Sequence, residues 1–563
     1  MKRSGEPKAL PRYGGGARAN WVPVLALAAV FALASPAPGA EPDSPLSAAL
    51  EAYLAAGEVQ LGAVRVATAP LRALYAAQGY APLWLDSTEG ARRADLLLAR
   101  LERAADEGLV PADYAAAEIA ARLAAPGDDG RAALDLLLTD SFLRYARDLG
   151  GGRPLPAGLA PDGPGRDAMP EAGELTSRAR AAPDFERFLA GLAPDSPRYR
   201  ALRGLLPRYR EIVAAGGWPG VPEGPTLREG DQGPRVALIR ARLALEGDLL
   251  EARLGTESFD AALSAAVRRF QERHGLEADG LVGRRTRAAL DVPAETRLEQ
   301  ILVNMERWRR LPWEPGGRFL LVNIPAFGLE VIEDRRVLFD MRAIVGRPSR
   351  PTPLFSDVVT YLDFNPTWTV PRRIAKLDIL PEVRKDLGYL ARHDMRVFVG
   401  RGRSASEIDP ELVDWLGVTP GKLPVTLRQD PGPKNALGRV KFMLPNRYDV
   451  YLHDTPQRNL FAKDRRAFSS GCVRLERPLE LAEYLLAGQD GWSRAKIEEV
   501  IQQGATASVW LARPIPVHMA YATAWATGDG RAHFRDDIYG LDAALADALH
   551  AASPEGAKLA QFR

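Results

Sequence analysis

The chain has 563 residues, a formal net charge of +2, 46% hydrophobic residues and 26% charged residues. These proportions belong to globular domains and exclude a chain disordered throughout, while the small, well-mixed charge excludes a basic stripe for nucleic acid. At roughly 100 to 200 residues per domain the length holds about three or four domains, with turns and joints supplied by 51 Gly and 45 Pro.

Lys2, Arg3, Lys8, Arg12 and Arg18 precede an apolar run from Trp21 to Ala34, followed by small residues and prolines in SPAPGAEPDSP. The pattern predicts an export leader over residues 1–40, cleaved near Ala40, and therefore an exported protein. The run is shorter than the roughly 20 residues that cross a bilayer. If retained, it would act as an N-terminal anchor at the inner membrane. Residues 41–220 are rich in Ala, Leu and Arg at helical spacing, as in RRADLLLARLERAADEGL, and predict a helical scaffold or docking domain without an evident reactive constellation.

Residues 226–295 predict a small three-helix unit. Val236, Ile239 and Leu243 form one apolar stripe and Leu263, Val267 and Phe270 the next. Gly275 is placed to stop the second helix, Asp279-Gly280 to turn, Gly283 to bend, and Thr286 to cap a third helix ending at Ala289 and Leu290. NMERWRRLPWEP reads as a basic, aromatic connector. Beyond it, residues 318–517 alternate β-branched and aromatic residues between turn signals, which predicts a mainly β domain. RPLELAEYLLAG and SRAKIEEVIQQG are its helices. Residues 372–435 are long for a connection and rich in Pro and Gly, so they are expected to be a lid-like insertion and not a rigid extra layer. Residues 518–563 form a C-terminal extension.

Cys472 is the one cysteine. An oxidising compartment favours paired cysteines, so a lone thiol is either a core residue or one kept for chemistry. Strand alternation places Tyr451 and His453 on one face of YDVYLHD, and Cys472 and Arg474 on one face of SSGCVR. An imidazole near a thiol takes its proton and makes it nucleophilic. Arg474 can lower the thiol's pKa or pair with a substrate carboxylate, and Gly471 lets backbone approach a bound carbonyl. The scattered histidines give no metal-ligand spacing, so neither metal nor cofactor is expected.

HDTP followed by SSGCVR resembles the active-site signature of the L,D-transpeptidases, and the resemblance extends through VNIPAFGLEV, VGRPSRPTPLFS, NPTWTVP and PGPKNALGRVKFMLPN. Residues 226–295 resemble the small peptidoglycan-binding domain of secreted wall enzymes. The order of parts is similar to large periplasmic transpeptidases of Gram-negative bacteria, implying a multidomain α+β chain. The resemblance implies that Cys472 attacks a donor tetrapeptide stem, that His453 moves the protons, and that the acceptor is a diaminopimelate amine, giving a 3-3 cross-link. It also implies oxyanion donors at Gly471 and Cys472, orientation by Ser469 and Ser470, a carboxylate contact at Arg474, and a cleft lined by Trp368 and Tyr451. Ser470 stands where many members carry histidine. Two other readings remain at this level: a secreted cysteine peptidase acting on stems, and a wall-binding scaffold without activity.

Overall fold

The computed structural model describes residues 44–125, 130–162, 170–249, 255–311, 317–400, 404–418 and 423–553, so the leader expected over residues 1–40 lies outside the described residues. No helix among the described residues is long and apolar enough to cross a membrane.

The first domain is helical because its apolar residues recur at helical spacing and its helices are capped. Ser44, Ser87 and Ser196 accept backbone N–H groups at the starts of Pro45–Ala55, Thr88–Glu102 and Pro197–Ala214. A short hairpin, β1 (Glu58–Leu61) and β2 (Val64–Ala67), interrupts the helices. Gly130–Gly151 runs through the centre with Leu137, Phe142 and Tyr145 buried. Its buried Asp135 accepts from the backbone N–H groups of Leu83, Trp84 and Leu85 and from the Tyr75 hydroxyl, so the carboxylate is fully engaged.

The next unit has the three expected helices, Pro234–Leu245, Ala261–Arg273 and Arg284–Leu290. Gly275 stops the second with φ +66°. Thr286, however, is not a cap. Gly283 occupies the cap position, while Thr286 lies inside the third helix and its hydroxyl donates to the Leu281 carbonyl and accepts from Gln271.

The first seven residues of the stretch read as a connector, Asn304 to Arg310, are instead the end of a helix, Ala294–Arg310. Ile301, Met305 and Trp308 form a buried stripe against Pro197–Ala214, which the intervening Arg and Glu residues obscure in the sequence. Two of those charges are themselves buried and paired, Arg309 to Glu306 at 2.9 Å.

The catalytic region opens with β3 (Arg318–Asn323), β4 (Gly328–Glu333), β5 (Arg336–Gly346) and β6 (Phe355–Phe364). The inserted unit begins ahead of the expected bound at 372, with β7 (Trp368–Thr369), and goes on through β8 (Met395–Val399), β9 (Ser406–Ile408) and β10 (Val425–Gln429). Then come β11 (Val440–Met443), β12 (Leu452–His453), β13 (Ala467–Ser469), β14 (Val473–Leu475) and β15 (Ala507–Ala520). The main sheet runs β13-β5-β14-β12-β11-β6-β15-β3-β4, and β4 also pairs with β5, so the sheet closes on itself. Closure satisfies edges that would otherwise present unpaired backbone.

The insertion differs from the expected loop. It is a folded unit with its own sheet, β7-β10-β8-β9, and its own core of Val370, Ile379, Leu380, Val383, Leu390, Val397 and Leu427. Among the described residues, Pro381 and Pro410 sit in the first turns of short helices and Gly400 follows β8. β15 runs three residues past the expected end at Val517. The C-terminal extension returns to the scaffold: β16 (Ala524–Ala526) and β17 (Ala532–Phe534) pack there through Phe534, and Asn304 donates to the Thr523 hydroxyl at 2.8 Å.

Candidate active site

β12 and β14 pair in parallel, with Leu452 opposite Val473 and His453 opposite Arg474. Leu452 and Val473 go into the core, which turns His453 and Arg474 to the other face. Tyr451 and Cys472 lie one step earlier on the same two chain segments. On the far side of β12, β11 places Lys441 opposite His453, and Lys441 in turn faces Asp363 of β6. Four neighbouring strands thus present Asp363, Lys441, His453 and Arg474 in one row.

Cys472 lies on a cavity of about 760 Å³. The catalytic sheet and its loops supply one wall, including Tyr451, His453, Ser470 and Arg474; the insertion supplies the other, including Trp368 and Asp378. The thiol's polar contact is to the Asp449 carbonyl at 3.8 Å. Burial pushes the Cys472 thiol up, while the backbone N–H of Tyr451, Lys441, the Tyr451 hydroxyl and Arg474 act against that rise. Tyr451 is the neighbour of Cys472 across the paired segments, its carbonyl accepting the Val473 N–H at 3.1 Å, and burial holds its hydroxyl well above the usual tyrosine range.

His453 is buried, and its Nδ1 lies 2.5 Å from the Asp454 carbonyl oxygen. A carbonyl only accepts, so Nδ1 carries the proton and the Nε2 lone pair is left for the cavity. Burial, reinforced by the charges of Arg474 and Lys441, holds the imidazole down at about 3, so it is neutral in the resting protein. The Asp454 carboxylate is turned away from the ring and taken by Arg439 and Arg458. Gly438 permits that arrangement: it has φ +61°, and a Cβ there would lie 2.5 Å from the Asp454 carboxyl carbon.

The loop before the thiol is fixed by its own hydrogen bonds. Ser469 donates to the Cys472 carbonyl at 2.6 Å and accepts the Gly471 N–H at 3.2 Å. Gly471 has φ +124°, a conformation that favours glycine, and its carbonyl accepts from Thr352 at 2.7 Å. Of the two N–H groups expected as oxyanion donors, that of Gly471 is thus already engaged. Ser470 accepts from Arg350 at 2.9 Å and from Arg347 at 3.4 Å. Arg350 also pairs with Asp378 of the insertion, joining the two walls beside the thiol.

Arg474 donates to Gln457 at 2.6 Å, and its buried Nε has no partner. It does not pair with Glu476, which accepts from the Arg342 backbone. Among the described residues Arg347 and Arg474, both on the cavity, form no ion pair, and neither does Lys441, which lines an adjoining cavity that shares Tyr451 and Asp449 with the first. No group of three or more His, Cys, Asp or Glu gathers there as metal ligands among the described residues.

Sequence reasoning missed Arg347, Arg350, Thr352 and Lys441. The first three lie in VGRPSRPTP, where two arginines flank a turn; Lys441 breaks the apolar alternation of VKFM at the step that faces His453. Tyr539 could not have been found, because it reaches the Gly346 carbonyl at 2.6 Å from a remote extension.

Residues 317–500 match the family model described as "L,D-transpeptidase catalytic domain", residues 232–290 that of a "Putative peptidoglycan binding domain", and residues 69–206 that of a "Scaffold domain". A Haemophilus influenzae protein named "Putative L,D-transpeptidase" is 35% identical over 244 residues, 43% of this chain and 48% of that protein. The chain thus spans about half the length of the curated relative it matches. Among solved structures, the L,D-transpeptidase of Xylanimonas cellulosilytica is 17% identical over 53% of this chain and 99% of that one, with a TM-score of 0.18. That of Mycobacterium smegmatis is 16% identical over 36% of this chain and 59% of that one, with a TM-score of 0.17. Overlays this loose carry no argument.

Proposed function

We propose, from the premise that this chain carries an L,D-transpeptidase catalytic domain together with a peptidoglycan-binding domain and a scaffold domain, that it cross-links peptidoglycan stems through an acyl-enzyme on Cys472. The observation that carries the reading is the juxtaposition of the chain's one thiol with a neutral, Nδ1-protonated histidine on parallel neighbouring segments, in a cavity holding unpaired cations.

In the first half-reaction Cys472 Sγ attacks the carbonyl between diaminopimelate and the terminal D-alanine of a donor tetrapeptide. The Sγ–C bond forms, the peptide C–N bond breaks, and D-alanine leaves with a proton that His453 Nε2 relays to it from water. The Cys472 N–H faces the developing oxyanion, a role worth about 3 kcal/mol per donor. In the second half-reaction the side-chain amine of an acceptor diaminopimelate attacks the thioester. The C–S bond breaks, the amine's proton leaves through His453, and the thiol is restored with a 3-3 cross-link as product. Arg474 and Arg347 suit the carboxylates of diaminopimelate. The periplasm is the compartment where such stems lie, in keeping with the leader-like residues 1–40.

Mass analysis of muropeptides after incubating the purified protein with disaccharide-tetrapeptide tests this. Dimers joined through two diaminopimelate residues are expected. Tripeptide products alone would instead identify a carboxypeptidase, and unchanged substrate a wall-binding scaffold.

A further inference from the structure

His453 poses a charge problem. A thiolate at Cys472 needs positive charge beside it, but the imidazole is buried between Arg474 and Lys441, which both oppose its protonation. The compensating charge must come from elsewhere in the row. Lys441 has the geometry for it. Its Nζ lies 4.0 Å from the centroid of the Tyr451 ring, a cation–π contact, and it forms no ion pair among the described residues. Tyr451 in turn lies beside Cys472, one step before the paired Leu452 and Val473, and its carbonyl accepts the Val473 N–H at 3.1 Å.

We infer that Lys441 is a positioning residue for the Cys472 thiolate, holding the Tyr451 ring from above and supplying the cation that His453 does not. The inference rests on reading Cys472 as the nucleophile. The thiol proton leaves through His453 Nε2 to water in the open cleft, and the anion remaining on Sγ is balanced by Lys441 and Arg474. The other groups facing this pair are Asp363 on β6, Asp449 before β12, Tyr451 and His453, and Arg347 after β5. Asp363 accepts from the Ser508 hydroxyl at 2.6 Å, and no ion pair joins it to Lys441 among the described residues.

The test is the pH dependence of Cys472 alkylation by iodoacetamide in the full chain, where a single cysteine makes the readout specific. Lys441→Met should move the alkylation midpoint up by about one pH unit, the scale expected on losing a nearby opposite charge. Lys441→Arg should restore it. A native-like Lys441→Met protein with an unmoved midpoint would overturn the inference. A second measurement needs no variant. Reductive methylation with ¹³C-formaldehyde keeps the lysine charge, and the Lys441 resonance should titrate at lower pH once iodoacetamide has blocked the thiol, because coupling between two sites is reciprocal. Indifference of that resonance to the block counts equally against it. A shifted midpoint in a protein that forms no cross-links would sink the proposed function and leave this inference standing.

Discussion

The peptidoglycan-binding domain and the catalytic domain each contain a dense group of shielded ionisable side chains, but only the first pairs its charges. Glu246 bridges Arg242, at 2.6 Å, and Arg273, and also accepts from the Tyr209 hydroxyl at 2.7 Å; Arg273 pairs as well with Asp248 at 2.6 Å. Although burial alone would raise the Glu246 carboxyl, Arg273 and Arg242 hold it well below the usual carboxylate range. Those contacts join the domain to the scaffold through Tyr209 and to the C-terminal hairpin through the Ala532 carbonyl. In the catalytic row, by contrast, Lys441 and Arg474 form no ion pair among the described residues, although Asp363 stands opposite Lys441, and His453 is neutral. Paired buried charge fixes how domains sit together; unpaired buried charge is held against a cost that a substrate or a thiolate removes.

The largest effect that can break this contrast is chemical. Cys472→Ala should reduce cross-linking to background in a muropeptide assay while leaving the melting temperature nearly unchanged, since the proposed mechanism makes the half-buried thiol the nucleophile and not core filling. Retained cross-linking would place the nucleophile elsewhere.

Next in size is the paired cluster. Glu246→Gln leaves two buried guanidinium groups undercompensated and should cost about 3 kcal/mol in urea unfolding, without altering the rate at which Cys472 is alkylated. In the wild type, Glu246 contributes stability that is present above its unfolded pKa near 4.5 and is lost as pH falls through its lower folded value. The variant should therefore show a flatter acid limb.

His453 acts in a higher window. Its folded value of about 3 lies below the ordinary 6.5, so the unfolded chain binds the extra proton first. Stability should fall by about 1.4 kcal/mol per pH unit from 6.5 downward until pH nears the folded value. His453→Gln should remove that share of the slope, and a slope identical to wild type would show the imidazole already charged.

A smaller change is expected across the cavity. Asp378→Asn weakens the link between Arg350 and the insertion, so thioester hydrolysis should rise relative to cross-linking by about threefold, a difference below 1 kcal/mol. Amide exchange in helical residues 372–385 should quicken in the same variant. The smallest stability effect belongs to Lys441→Met, expected within about 0.5 kcal/mol of wild type because the lysine has no ion pair to lose. A loss as large as that of Glu246→Gln would erase the distinction between the two clusters.

Much of the site was legible because strand alternation is a local rule. His453, Cys472 and Arg474 could be assigned to faces from YLHD and GCVR alone, and the parallel pairing of β12 with β14 then sets them side by side. The helical units were legible for a similar reason, since Val236, Ile239 and Leu243 carry their spacing in the sequence. What local pattern cannot carry is register between distant strands. It brings Lys441 to His453 and Arg347 and Arg350 to Ser470. The insertion was misread because turn-forming residues punctuate short strands as readily as they loosen loops. The helix Ala294–Arg310 was misread because its buried charges, such as Glu306 and Arg309, find partners only in the folded chain.

The most direct test of the account is intact-protein mass after brief exposure to a tetrapeptide donor without acceptor. The account predicts one acyl adduct, mapped by proteolysis to Cys472, with one equivalent of D-alanine released and no adduct in Cys472→Ala. D-alanine release without any adduct in either protein, or an adduct mapped to another residue, would contradict it.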